Sequence, residues 1–131
     1  MKQPKRILII DDDDSIRALI GRILRINGYM VDSAETGREG IEKSNLNAYD
    51  LALIDRRLPD MDGTSLLTDL RSVAPGMVKI MLTGYSSPEN RTEAFEKYAD
   101  GYITKPVKIE DLLKTIKEGL DRQCNQFLNP K

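Results

Sequence analysis

A chain of 131 residues has the length of one domain and can bury a core of its own. Its 20 Lys and Arg offset 21 Asp and Glu, so the net charge of -1 lacks the basic excess that nucleic acid or an anionic membrane would require. There is no histidine and a single cysteine, Cys124, which excludes Ser-His-Asp or Cys-His catalysis, His-ligated metal and an internal disulfide. Any metal would be a hard cation held by oxygen, such as Mg²⁺.

The longest apolar runs are four residues, as in Ile7 to Ile10, far short of a membrane span. The basic start (Lys2, Lys5, Arg6) leads into an apolar stretch too short for a signal peptide. A soluble, cytoplasmic chain is expected.

Lys5 to Ile10 reads as a buried strand, and it ends in four aspartates, Asp11 to Asp14. Ile16, Leu19, Ile20, Ile23 and Leu24 then predict a helix from about Asp14 to Asn27, capped by Asp13 or Asp14 and stopped by Asn27-Gly28. Met30 to Ala34 is a short second strand. Thr36-Gly37-Arg38-Glu39 matches a capping box and opens a helix to about Leu46. Leu51 to Ile54, the third strand, runs straight into Asp55. In the turn that follows, Leu58 and Met61 pack the loop. A helix from Gly63 carries Leu66, Leu67, Leu70 and Val73 and ends before Pro75-Gly76.

Val78 to Leu82 is the fourth strand and ends in Thr83-Gly84. Ser87-Pro88 supply the cap and first residue of a helix to about Tyr98. Gly101 to Thr104 is the fifth strand, ending in Lys105-Pro106. The last helix begins near Ile109, with Glu110 and Asp111 in its first turn and Leu112, Leu113, Ile116 and Leu120 on its core face. Residues 1–122 read as the domain and 123–131 as a polar tail, or the start of a linker, with no structure of its own.

Strict alternation of five strands and five helices predicts an α/β fold with a parallel sheet covered on both faces. The strand order 2-1-3-4-5 of flavodoxin-like folds sets the ends of the first and third strands side by side at the switch point. Asp11, Asp12 and Asp55 then converge at the sheet's carboxyl edge, beside Thr83 and Lys105. Three carboxylates together repel one another unless a cation offsets them, and Mg²⁺ suits such a site. Asp55 would be a carboxylate nucleophile able to form an acyl phosphate, Lys105 a mobile charge for a phosphoryl oxygen, and Thr83 a hydroxyl donor.

These residues, with Pro59, Asp62-Gly63, Gly84 and Tyr102…Lys105-Pro106, make the chain resemble a receiver domain of the two-component response regulators over roughly Lys5 to Leu120. The resemblance implies a phosphoacceptor, Asp55, that takes its phosphoryl group from a histidine kinase or histidine phosphotransfer protein. It implies Mg²⁺ held by Asp12, Asp55 and the backbone carbonyl of Arg57, with Asp11 acting through water. It also implies a cis Lys105-Pro106 bond and a switch pair, Thr83 and Tyr102, in which the ring turns inward. The face formed by the fourth helix, fifth strand and fifth helix would then change shape. A downstream protein, an output domain or a second copy of the chain would read that change. Such a chain is not an enzyme, although it assists its own phosphorylation and dephosphorylation.

Three features depart from the family pattern. Arg56 and Arg57 directly follow Asp55, and Arg57 is expected to meet the phosphoryl group or Glu89. Tyr98 stands where glycine is usual at the end of the fourth helix, and Tyr85 would partly cover the site. Other functions fit less well. A haloacid-dehalogenase-type phosphohydrolase would carry an acid where Arg57 stands, and four aspartates after the first strand would repel the phosphate of a nucleotide or flavin. A degenerate receiver, acting as an interaction module without phosphate, would not keep every acidic and switch residue.

Overall fold

The computed structural model describes residues 3–84 and 88–128. Five strands, β1 (Arg6–Ile10), β2 (Met30–Ala34), β3 (Leu51–Asp55), β4 (Val78–Thr83) and β5 (Gly101–Thr104), pair in parallel in the order β2-β1-β3-β4-β5. The helices between and after them are α1 (Asp14–Ile26), α2 (Gly37–Leu46), α3 (Gly63–Val73), α4 (Pro88–Glu96) and α5 (Ile109–Leu128). This is the predicted fold and strand order. Among the described residues no helix is long and apolar enough to cross a membrane.

Alternate strand residues feed two cores, as the pleat requires. Leu8, Ile10, Ala52, Ile54, Met81 and Tyr102 pack with Leu66, Leu67 and Leu70 of α3 and Ala94 of α4. Ile7, Ile9, Leu51, Leu53, Ile80 and Ile103 pack on the other face with Ile20 and Leu24 of α1 and Leu112, Ile116 and Leu120 of α5. All four apolar residues of β1 and of β3 have 0% exposure, so the strands that end at Asp11 and Asp55 are the most deeply held. Each leucine and isoleucine among them contributes about 1.5–3 kcal/mol by leaving water.

The chain's local signals mark the helix starts. Asp13, rather than Asp14, caps α1 by accepting from the backbone N–H groups of Ser15 and Ile16, and Thr36 caps α2 through Glu39 N–H. The expected cap of α4, Ser87, lies outside the described residues. The C-terminal boundary differs from expectation. Instead of an unstructured tail from Gln123, α5 continues to Leu128. No proline interrupts the chain between Pro106 and Pro130, and Gln123 secures the extension by donating to the carbonyls of Gly76 and Asp50.

Two helices end in the same hydrogen-bonded turn on different residues. After α1, Tyr29 N–H reaches Leu24 O at 3.0 Å and Gly28 N–H reaches Arg25 O at 3.1 Å, with Gly28 at φ 91°. After α4, Ala99 N–H reaches Ala94 O at 2.9 Å and Tyr98 N–H reaches Phe95 O at 3.1 Å, and here Tyr98 takes the left-handed position at φ 78°. Glycine adopts that conformation freely, whereas a residue with a Cβ is strained by about 1–2 kcal/mol. Stacking offsets part of the strain, since the Arg71 guanidinium of α3 lies 3.8 Å from the centre of the Tyr98 ring.

The two effects separate in a double-mutant cycle read by thermal unfolding. Tyr98→Gly is expected to raise the melting temperature by a few degrees. Arg71→Ala should lower it in the wild-type background and leave it unchanged once Tyr98 is glycine.

Candidate functional site

Parallel pairing fixes the site. Ile10 stands opposite Ile54 and Asp55 opposite Leu82, so Asp11, the residue after β1, and Asp55, the last of β3, meet at the carboxyl edge of the sheet. Carboxylate oxygens of Asp11, Asp12 and Asp55 all lie within 4.8 Å of one another. Asp11 is fully buried and Asp55 nearly so, at 0% and 8% exposure, while Asp12 faces solvent. The four-aspartate run thus divides its labour. Asp11 and Asp12 enter the site, Asp13 caps α1, and Asp14 pairs with Arg17.

Lys105 closes the cluster. Its Nζ stands 3.2 Å from Asp55 Oδ1 and 3.4 Å from Asp11 Oδ2. The following Lys105-Pro106 bond is cis, as the resemblance implied, and Lys105 N–H donates to Thr83 O at 2.7 Å. Burial and the negative charge of Asp11 push the Asp55 carboxyl above its ordinary pKa, against the pull of Lys105 and of the Arg57 backbone N–H. Burial acts on Lys105 in the opposite sense, but Asp11 and Asp55 together outweigh it and raise the lysine's pKa.

The loop from Arg56 to Asp62 forms one wall and is pinned throughout. Arg56 N–H donates to Leu82 O at 2.9 Å, and Arg56 O accepts from Gly63 N–H at 2.7 Å. A Cβ on Gly63 would stand 2.7 Å from Asp55 O and 2.9 Å from Arg56 Cα, so only glycine lets α3 start so close to the site. Asp62 caps α3 through Thr64 N–H at 2.8 Å. Asp60 reaches sideways and caps α2, its two oxygens each 2.9 Å from the backbone N–H groups of Gly37 and Arg38. Leu58 and Met61 pack against the core as expected.

Thr83 is buried at the end of β4, opposite Thr104, and Arg57, its side chain exposed, stands opposite Asp62 in a bridge closed by Gly63 N–H to Arg56 O and Leu58 N–H to Met61 O. The ring of Tyr102 is already buried, at 8% exposure, among Met81, Ala94 and Ala99. Tyr85 lies outside the described residues. The sequence carries no sign of a role for Arg56, whose guanidinium is 14% exposed and pairs with Glu93 of α4 at 3.7 Å. The cap made by Asp60 also went unread. A carboxylate in a loop carries no sign of which distant helix it serves.

A parallel five-stranded sheet with three carboxylates and a lysine at the carboxyl edge of its switch point defines an α/β domain with an acidic site where such folds bind ligands. The sequence model of the response regulator receiver domain matches residues 7–117. A CheY-like receiver domain protein from Methanospirillum hungatei is 48% identical, with 94% of this chain and 98% of that one aligned at a TM-score of 0.89. A response regulator protein from Burkholderia pseudomallei, solved with a phosphorylated aspartic acid, a calcium ion and citrate, is 26% identical over 97% of this chain and 75% of that one, with a TM-score of 0.81. The transcriptional regulatory protein GlrR of Escherichia coli is 34% identical over 122 residues, which are 93% of this chain and 28% of GlrR. The chain belongs to the response regulator receiver domain family. It is a receiver of two-component signalling, a phosphoacceptor module, and it spans under a third of the length of GlrR.

The Asp60 bridge gives a pH-dependent prediction. The Arg38 and Gly37 N–H groups hold this carboxyl below its ordinary 3.8, so the folded value lies under the unfolded one. Its stabilisation is therefore complete above pH 4 or so and is lost as pH falls through the folded value. Asp60→Ala should cost about 1 kcal/mol or less at neutral pH, the range of an exposed cap. The difference from wild type should shrink in urea titrations as pH is taken down below 4.

Proposed function

We propose that Asp55 is the phosphoacceptor and that its donor is the phosphoimidazole of a histidine kinase or histidine phosphotransfer protein. The observation that carries this reading is the Lys105 amine lying against Asp55 and Asp11 within a cluster of three carboxylates. In the transfer, an Asp55 carboxylate oxygen forms a bond to phosphorus as the phosphorus–nitrogen bond breaks, with its electron pair going to the imidazole. The product is an acyl phosphate on Asp55. Lys105 is placed to meet a phosphoryl oxygen as it leaves the carboxylates, and the Thr83 hydroxyl supplies a further donor. Pinning of the β3–α3 loop orients the Asp55 backbone, which matters because this chemistry depends on position and charge more than on covalent help.

The donor set fits a hard divalent cation. All its groups are oxygens, two of the carboxylates are buried, and the Asp55 carboxyl is disfavoured as an anion by burial and by Asp11. Asp11, Asp12, Asp55 and the Arg57 carbonyl would hold Mg²⁺, which would neutralise phosphoryl charge. The calcium ion and phosphorylated aspartate of the Burkholderia relative support this assignment. Thr83 and Tyr102 form the switch pair, and the face of α4, β5 and α5 carries the signal to a downstream protein, an output domain or a second copy. The chain acts in the cytoplasm and turns over no substrate of its own. Exposed Arg57 sits at the mouth, and Arg57→Ala is expected to change the lifetime of the acyl phosphate.

Intact mass after incubation with acetyl phosphate tests the assignment. Wild type should gain a single phosphoryl group only when Mg²⁺ is present, and Asp55→Asn should gain none. An adduct of equal size on the mutant would remove Asp55 from the role. The same mutant should also melt a few degrees higher than wild type in chelator, because it removes a buried charge facing Asp11.

A further inference from the structure

We propose that the Arg56–Glu93 ion pair tethers α4 in the unphosphorylated protein and that Arg56 is a positioning residue through which phosphorylation moves this helix. The proposal rests on the reading of Asp55 as phosphoacceptor. It starts from register. Asp55 pairs with Leu82, so one step on Arg56 lies beside Thr83, and Arg56 N–H to Leu82 O continues the ladder. Alternation sends Asp55 toward the α1–α5 core and Arg56 toward the α3–α4 core, the face that holds Met81 and Tyr102. Arg56 therefore shares a face with both switch residues and reaches the output helix itself.

The pair is not an ordinary surface contact. The Arg56 side chain is 14% exposed against 48% for Glu93, so the attraction acts partly outside water. Among the described side chains few other groups hold α4. Ala94 is its only apolar residue in the buried cluster among the described side chains, and its C-terminal turn carries the strained Tyr98. Arg56 Nη1 is buried and finds no hydrogen-bond partner among the described residues. A buried donor without an acceptor is costly, so this guanidinium gains from any rearrangement that supplies one. Phosphorylation adds negative charge on the neighbouring residue and draws on Thr83 beside it. The new charge, one residue away, competes with Glu93 for the Arg56 cation, and a Thr83 drawn toward the phosphoryl group leaves room beside the guanidinium; release of Glu93 frees α4. Because Tyr102 is already buried, the inward ring movement expected of the switch is largely complete. The tether is then the contact left to break.

A tether that favours the unphosphorylated form opposes the binding of a phosphoryl mimic. Beryllofluoride titrations in Mg²⁺, followed by NMR, should show Glu93→Gln binding about three- to tenfold tighter than wild type. Arg56→Ala should match that gain, Arg56→Lys should stay at the wild-type value, and the Arg56→Ala/Glu93→Gln double mutant should gain no more than either single change. Unchanged or weaker binding by Glu93→Gln, or additive gains in the double mutant, would overturn the tether. If wild type binds no beryllofluoride, the phosphoacceptor reading fails instead. The tether is then decided by amide hydrogen exchange in α4, which Glu93→Gln must speed several-fold and Arg56→Lys must leave alone.

Discussion

Two carboxylates are forced together where the sheet changes direction, and much of the molecule serves to hold them there. The switch point between β1 and β3 makes Asp11 and Asp55 neighbours, and full burial of both strands removes any freedom to move apart. Left alone, the pair would repel in a poorly solvated setting. Lys105 relieves the conflict from a third strand end, and its place is fixed in turn by the backbone contact with Thr83. The resulting site is poised. It holds excess negative charge that a cation or a phosphoryl oxygen with its counter-charge can rearrange.

The surroundings of this pair differ in stiffness. On the β3–α3 side, Gly63 rests on the Asp55 backbone, Asp62 caps α3 and Asp60 caps α2, so a single loop is fastened to two helices and a strand. On the α4 side the attachments among the described side chains include a small buried alanine, a left-handed tyrosine stacked on Arg71, and an ion pair from Arg56. Charge placed on Asp55, in the role proposed for it, would therefore meet a firmly fastened loop on one side and α4 on the other.

The fold was legible because each of its signals is local. Four apolar residues ending in acid, a capping box at Thr36, and Asn27-Gly28 each act over a few residues and report one element. The gathering of Asp11, Asp12, Asp55 and Lys105 was legible for a different reason: alternation dictates a parallel sheet, and the sheet dictates which strand ends meet. What could not be read depends on side-chain reach across the fold. Arg56 and Arg57 are equivalent in sequence, and only the pleat decides that Arg56 turns toward α4. Asp60 looks like any loop acid until α2 arrives beside it. The extension of α5 was missed because a polar run reads as a tail, whereas Gln123 finds two backbone carbonyls at the opposite edge of the sheet.

That extension has a mechanical consequence. At 1.5 Å per residue, the 20 residues of α5 make a rod about 30 Å long, starting just after Lys105 and running past the far edge of the sheet. Gln123, bonded to Gly76 and Asp50 near the other end, acts as a fulcrum. With that fulcrum, a tilt of about 4° moves the start of the rod, about 21 Å away, by roughly 1.5 Å and its last turn by only about 0.5 Å. A swing of the start of α5, beside Lys105, can thus take place while the opposite edge of the sheet keeps its hold on the helix.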